Sequence, residues 1–474
     1  LAGDTNHVIY LSYKHLLADQ AFDGTILVYS SLVCFRAQTM ETAVMKRFLQ
    51  RLFQKKSVTQ AKPPGGRPIA KAEKPGRVVI VGAGPAGMTL AYLLARRGVR
   101  VTVLETHHDF ARAFRGEGLQ QSGIDVFRQM GLGDRFDKIP HVEMRKFEIY
   151  LHGKLLVRTD PAGLGRDRAR LVSQPALLQM LAEEASKHPC FRLDFGVTVR
   201  DFLRENGRVV GVRASAAEGP REYRADLVVG ADGRNAATRK HSGFPEISSR
   251  QDYDVLWIKV PCPDGYPDRT AQAEIGSQRN AFVFPTADGQ LQIGFIIPKG
   301  GIAALRARGV ETWTEELIAR LPGDLANHLR GHREAVVRAA VLNVVCGRLT
   351  EWTSPGLLLI GDAAHPMSPV GGQGVNIALR DALVTANHLC PVLTYGAQAA
   401  AIDRATRRVQ DERWPEIVAI QQVQQNQARM PSHLTAGQRG LCIGCCRGCC
   451  ARACCSGCTA RNISSCHTEC CRSG

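Results

Sequence analysis

No stretch of the 474-residue chain approaches the roughly 18 to 20 uninterrupted apolar residues of a membrane span; the run Gly356 to Ile360 is typical, and no span is expected. Aromatic residues make up only 6% and do not interleave with a basic stripe. A stacking platform for bases is therefore absent, and the formal charge of +17 does not argue for a nucleic-acid partner. That charge sits mostly at the ends: +6 in residues 1–75 and +4 in 436–474, leaving +7 for the long body. Cysteine is equally uneven. Eleven of sixteen lie between Cys442 and Cys471, while Cys34, Cys190, Cys262, Cys346 and Cys390 stand singly. Isolated thiols suit a reducing compartment, so a cytoplasmic protein is expected. The body also lacks a Cys-x-x-Cys redox pair.

The first 75 residues show no signal-peptide order of basic, apolar and small segments and finish in a Pro-, Gly- and Lys-rich linker, Lys55 to Lys74. They are expected to be a disordered extension. Residues 396–435 are charged, Gln-rich and helical in character, giving one or two helices packed on the body. Residues 436–474 repeat Cys-Cys and Cys-x-x-Cys, a spacing that thiolate metal sites use. Few aliphatic residues are present to fold around an ion, and no distal pair stands at zinc-ribbon spacing. The expectation is a disordered tail and no metal.

Within the body, the run Arg77 to Val81 stops at Gly82, Met88 to Arg97 has helical apolar spacing, and Val99 to Glu105 is a second strand. Between strand and helix stands Gly82-Ala83-Gly84-Pro85-Ala86-Gly87. Gly82 permits the tight turn, Gly84 lets backbone approach a pyrophosphate, and Gly87 allows close packing of helix on strand. Pro85 and Ala86 complete the turn, and the helix amino terminus favours an anion. Glu105 is placed to accept the hydroxyls of an adenosine ribose and disfavours a 2'-phosphate. This is a dinucleotide site with context, not an isolated glycine pattern.

Two hairpins point to a different sheet: Phe147 to Thr159, and Ala281 to Ile297 around Asp288-Gly289. Asp254 to Val260 is a further strand. Leu227 to Val229 runs into Gly230-Ala231-Asp232-Gly233, and Leu357 to Ile360 into Gly361-Asp362. The nucleotide sheet is thus assembled from separated pieces of chain.

Gly361-Asp362-Ala-Ala-His365, followed by Pro366-Met-Ser-Pro369-Val-Gly371-Gly372-Gln-Gly374-Val-Asn376, resembles the second FAD signature of the class A flavoprotein monooxygenases, the para-hydroxybenzoate hydroxylase family. Asp362 at a strand end can accept a ribityl hydroxyl, and the three glycines free the backbone to approach a flat ring. Gly230 to Arg239 resembles the family's Asp-Gly motif, with Asp232 and Arg239 matching and Ala236 standing where the family usually has Ser. By the same resemblance Arg115 lies along the ribityl and diphosphate, Gln174 against the ribityl chain, and Pro369 beside the reactive edge of the flavin. His365 invites a role as base, but in this motif a structural role is favoured.

The resemblance covers about Arg77 to Leu393. It implies an α/β fold: a Rossmann-like FAD-binding domain of glutathione-reductase type (76–140, 170–248 and 340–395) interleaved with an antiparallel β-sheet substrate domain (141–169 and 249–339). It further implies a single-component monooxygenase that takes electrons from NADH or NADPH and hydroxylates an aromatic or other electron-rich small molecule with O2, through a flavin hydroperoxide. No second Gly-x-Gly-x-x-Gly supplies a nicotinamide domain. Trp257, Phe282, Phe284 and Phe295 are candidates to line an apolar cavity, with core packing the competing role. No catalytic base is identifiable. The competing functions are an FAD-dependent reductase of the geranylgeranyl reductase kind and a non-catalytic FAD binder.

Overall fold

The computed structural model describes residues 75–111, 118–151, 153–159, 168–276, 280–396 and 398–433. The amino-terminal extension, Arg115 and the cysteine-rich tail lie outside the described residues. Six strands build the first sheet, β1 (Arg77–Val81), β2 (Arg100–Glu105), β3 (Phe191–Phe195), β4 (Leu227–Gly230), β5 (Thr353–Ser354) and β6 (Leu357–Leu359), and of these β1, β4 and β6 are short apolar runs that lead into a glycine. They lie in the order β5-β6-β4-β1-β2-β3. All pairings are parallel except β5 with β6. Four consecutive residues of β1 are buried, the mark of a parallel strand covered on both faces.

Helix α1 (Pro85–Ala95) begins three residues before the apolar spacing at Met88 suggests. Pro85 sits in its first turn, where a missing N–H costs nothing and the fixed φ is already helical. Ala86 through Ala95 are all buried. Helices α2 (Gln174–Ser186) and α3 (Gly374–Leu393) pack against α1. The Gln-rich segment is one helix, α4 (Ala399–His433). The sheets and α1–α3 belong to one compact unit, which extends to Arg429 within α4.

A seven-stranded sheet holds, in order, Ala340–Leu342, Tyr253–Pro261, Gln290–Pro298, Ala281–Pro285, Thr270–Ile275, Lys146–Leu151 and Lys154–Thr159. Both hairpins read from the sequence pair as expected. One junction is not antiparallel: Thr270–Ile275 runs parallel to Lys146–Leu151. A parallel neighbour needs a long crossover, and here more than a hundred residues, including β3 and β4, intervene. One face of this sheet (Leu256, Ile258, Val260, Ile293, Phe295) packs on short helices through Trp313, Leu317 and Leu329. Side chains alternate along a strand, so Tyr253, Val255 and Trp257 point the other way, and register sets Phe282 and Trp257 on either side of Gly294. Among the described residues no helix is long and apolar enough to cross a membrane.

Candidate cofactor and active site

The glycines of the first turn do different work. Gly82 has φ of +100°, and a Cβ there would stand 2.6 Å from the Ala231 carbonyl oxygen. A Cβ on Gly87 would stand 2.0 Å from the Gly82 carbonyl oxygen. The protein's own packing therefore requires both. Gly84, the cap residue of α1, has ordinary extended backbone, and a Cβ on it would meet nothing within 4 Å. No side chain caps α1 and no acidic residue stands in its first turn. The outcome is an open helix amino terminus with N–H groups directed at free space, which suits an anion. Glu105, 4% exposed at the end of β2, accepts the Ala83 N–H at 2.8 Å and approaches His107 Nδ1 at 2.7 Å, fixing the turn to the next strand.

The other two motifs meet this turn. Gly82 lies against Ala231 and Asp232, and Gly361, with φ of +60°, would bring a Cβ to 3.3 Å from that of Ala86. Arg234 Nε donates to Asp362 Oδ2 at 3.0 Å. Arg239 donates to the carbonyls of Ala363 (2.8 Å) and Asp362 (2.7 Å), so it holds the β6 turn by its backbone. Asp232 accepts the Thr238 N–H at 3.0 Å and the Thr238 hydroxyl. Burial pushes its carboxyl above the usual range, against those bonds. Both Asp232 and Arg239 thus shape the site's floor.

After β6 the chain turns at Pro369 and passes through Gly371 (φ 75°) and Gly372 (φ 61°) into α3. Cβ atoms on Gly372 and Gly374 would meet nothing within 4 Å. This open strip is anchored from below. Asn376, fully buried, donates to the carbonyls of Gly372 (2.9 Å) and Gly118 (3.1 Å) and accepts the Gln120 N–H at 2.8 Å. Gln120 also donates to the Gly371 carbonyl at 2.8 Å and accepts from Gln373 at 2.8 Å. Gln174 is buried at the start of α2, whose cap is Ser173.

Behind the strip lies a network that the motifs do not announce. Asp381 of α3 accepts the Gly361 N–H at 2.9 Å, lies 2.8 Å from His365 Nε2 and accepts from Arg413 Nε of α4 at 2.7 Å. Burial alone would raise the Asp381 carboxyl, but His365 and Arg413 hold it well below the usual carboxylate range. His365 is fully buried against Trp352, which gives it the structural role favoured from the sequence. Glu416 pairs with Arg413 and Arg380. Further along α4, buried Gln421 donates to the Gly347 carbonyl at 2.6 Å, and buried Gln424 donates to the carbonyls of Ser368 (3.0 Å) and Val370 (2.8 Å). Sequence reasoning missed Gln120, Asp381, Arg413, Gln421 and Gln424; in a Gln-rich helix no spacing distinguishes the buried ones.

The four aromatic candidates divide. Phe295 is core, packed toward the short helices. Trp257, Phe282 and Phe284 are half-buried on the opposite face, with ring centroids 6.5 Å apart for Trp257–Phe284 and 6.4 Å for Phe282–Phe284. Tyr253, on that face, places its hydroxyl 2.8 Å from Ser368 Oγ. The aromatic face therefore runs up to the glycine strip.

Two glycine-bearing turns closing on an open helix terminus, beside an apolar sheet face, define a flavoprotein of the monooxygenase class. The family described as FAD binding domain matches residues 76–415, and the chain belongs to it; it is an FAD-dependent monooxygenase that uses NADH or NADPH. It is 34% identical over 357 residues to 6-methylpretetramide 4-monooxygenase of Streptomyces rimosus, covering 74% of this chain and 84% of that one. It is 29% identical over 325 residues to kynurenine 3-monooxygenase of Salinispora tropica, covering 65% and 71%. Among solved structures, p-nitrophenol 4-monooxygenase PnpA of Pseudomonas putida shares the fold at a TM-score of 0.65 and 21% identity, covering 80% of this chain and 94% of that one.

Proposed function

We propose that this protein hydroxylates a small aromatic molecule with O2 and NADH or NADPH, in a site formed where the glycine strip meets the apolar face of the seven-stranded sheet. The first sheet, with residues 76–140, 170–248 and 340–395, serves as the FAD-binding domain, and residues 141–169 and 249–339 as the substrate domain. The observation that carries this is the shared openness at Gly84, Gly372 and Gly374, where added side chains would meet no protein atom, while Gly82 and Gly87 are packed shut. A dinucleotide running past these motif glycines needs that room at each of them. FAD bound there would supply the redox and oxygen-transfer chemistry, with the nicotinamide as electron source and O2 as the source of the transferred oxygen atom.

The chain's own groups bind and orient. The Gly82–Gly87 turn, with Pro85 and Ala86, receives the diphosphate at the amino terminus of α1. Glu105 accepts ribose hydroxyls. Asp362, shared with Arg234, accepts a ribityl hydroxyl, and Gln174 and Arg115 lie along the same chain. Gly361, Pro369, Gly371, Gly372 and Gly374 border the ring, with Asn376 holding the strip and Asp232 and Arg239 holding the turns. The first relatives' names describe hydroxylation of aromatic compounds, which supports the substrate class. The cytoplasm is the proposed location. The test is simultaneous recording of nicotinamide and O2 consumption by purified protein over a panel of phenols. A monooxygenase consumes both together and faster with its substrate; nicotinamide oxidation that proceeds unchanged without oxygen would indicate a reductase instead.

A further inference from the structure

We infer that Gln292 is a specificity-determining residue of the substrate face: its side-chain amide hydrogen-bonds a carbonyl or hydroxyl oxygen on the part of the aromatic substrate turned away from the glycine strip. The inference rests on the proposed hydroxylation at that face. Its first support is position. Gln292 stands between Leu291 and Ile293, both core residues of the helix-packed face. Alternation along the strand therefore turns Gln292 to the opposite face. There the register sets it between Phe284 and Lys259, one rung beyond Gly294 and Trp257. Tyr253, whose hydroxyl meets Ser368 of the strip, stands at the other end of the same strand pair.

The second support is what the amide lacks. Five side-chain amides among the described residues are buried: Gln174, Gln292, Asn376, Gln421 and Gln424. Asn376, Gln421 and Gln424 donate to backbone carbonyls, and Gln174 also has a partner. Gln292, 7% exposed, has no hydrogen-bond partner among the described residues. Burying an amide without a partner is costly, and native proteins keep few such groups. A ligand that supplies the missing partner explains why this one is kept.

The third support is the setting. Phe284 lies directly across from Gln292 and Trp257 lies diagonal to it, both half-buried. Aromatic walls keep water away, and a hydrogen bond made in such a place is stronger than one made in water. The charged neighbour, Lys259, has its ammonium 3.5 Å from Asp288 in the hairpin turn. The amide is thus the neutral group at this end of the face, and it can both donate and accept, which suits a ketone, amide or hydroxyl oxygen.

The test changes one atom of the ligand and one side chain of the protein in a cycle, using full-length, FAD-loaded protein without nicotinamide and dissociation constants from calorimetry. The probes are 4-(4-hydroxyphenyl)butan-2-one and 6-(4-hydroxyphenyl)hexan-2-one, each beside the analogue in which a methylidene group replaces the carbonyl oxygen. At one length or both, the ratio of ketone to methylidene affinity is expected to be about tenfold higher in the native protein than in Gln292→Leu, as one buried hydrogen bond warrants. Gln292→Leu also leaves no unpaired amide, so its Tm without probe should equal or exceed the native value; retained flavin content shows that it folds. An unchanged ratio at both lengths, or a lower Tm in Gln292→Leu, overturns the inference while leaving the hydroxylase intact. A protein that takes up no FAD, or that oxidises nicotinamide without O2, removes both.

Discussion

Gly84 and Gly87 stand one helical turn apart and respond to a methyl group in opposite ways. At Gly87 the methyl would collide with the Gly82 carbonyl, so Gly87→Ala is expected to open the turn and yield colourless protein with a lowered Tm. At Gly84 there is nothing to strike. Gly84→Ala should fold with unchanged Tm yet bind FAD about tenfold or more weakly, a loss of about 1.4 kcal/mol or more, because the methyl takes space kept for the diphosphate. Flavin titration of the apoprotein together with thermal melts distinguishes the two; equal FAD affinity for Gly84→Ala and the native protein would contradict the placement. The sequence spacing alone assigned these glycines their roles. It could not supply partners drawn from far along the chain: Asp362 reads as a lone acceptor, and only folding brings Arg234 to it.

At the scale of elements, α4 governs the glycine strip from behind. Gln424→Leu leaves the Ser368 and Val370 carbonyls buried without their donor, which costs about 1 to 3 kcal/mol. The variant should fold and hold FAD but leak more hydrogen peroxide per nicotinamide oxidised, because the strip and the Ser368–Tyr253 contact loosen; peroxide assays during turnover check this. Asp381→Asn removes the charge that pairs with His365 and Arg413, a loss of about 3 to 5 kcal/mol for a broken buried pair. The native carboxyl is depressed from its ordinary value of 3.8. Its contribution is therefore complete above that value and is lost as pH falls through the lower folded value. Urea melts between pH 5 and 2 should show a shallower acid decline in Asp381→Asn than in the native protein. The helical character of α4 was readable from its sequence, but which glutamines face inward was not. A different signal went unread: Asn206-Gly207, both with positive φ, closes the hairpin between Thr198–Glu205 and Arg208–Ala216.

For the whole molecule, the strands that end in glycine were legible because a parallel strand covered on both faces is a continuous apolar run with a sharp stop. The seven-stranded sheet was legible as hairpins, through alternation and turn residues. Its parallel junction between Thr270–Ile275 and Lys146–Leu151 was not, since a pairing across so long a crossover leaves no local mark. That junction joins the hairpin at 146–159 to the aromatic face. As proposed, the separated turns converge on one FAD whose electrons, drawn from a nicotinamide, are spent with O2 on an aromatic ring. The most direct measurement is the stoichiometry of purified, FAD-loaded protein supplied with NADH or NADPH, O2 and a hydroxylatable phenol: one nicotinamide oxidised and one O2 consumed per hydroxylated product is predicted. Protein that stays colourless after incubation with FAD, or that oxidises nicotinamide with no uptake of O2, would contradict it.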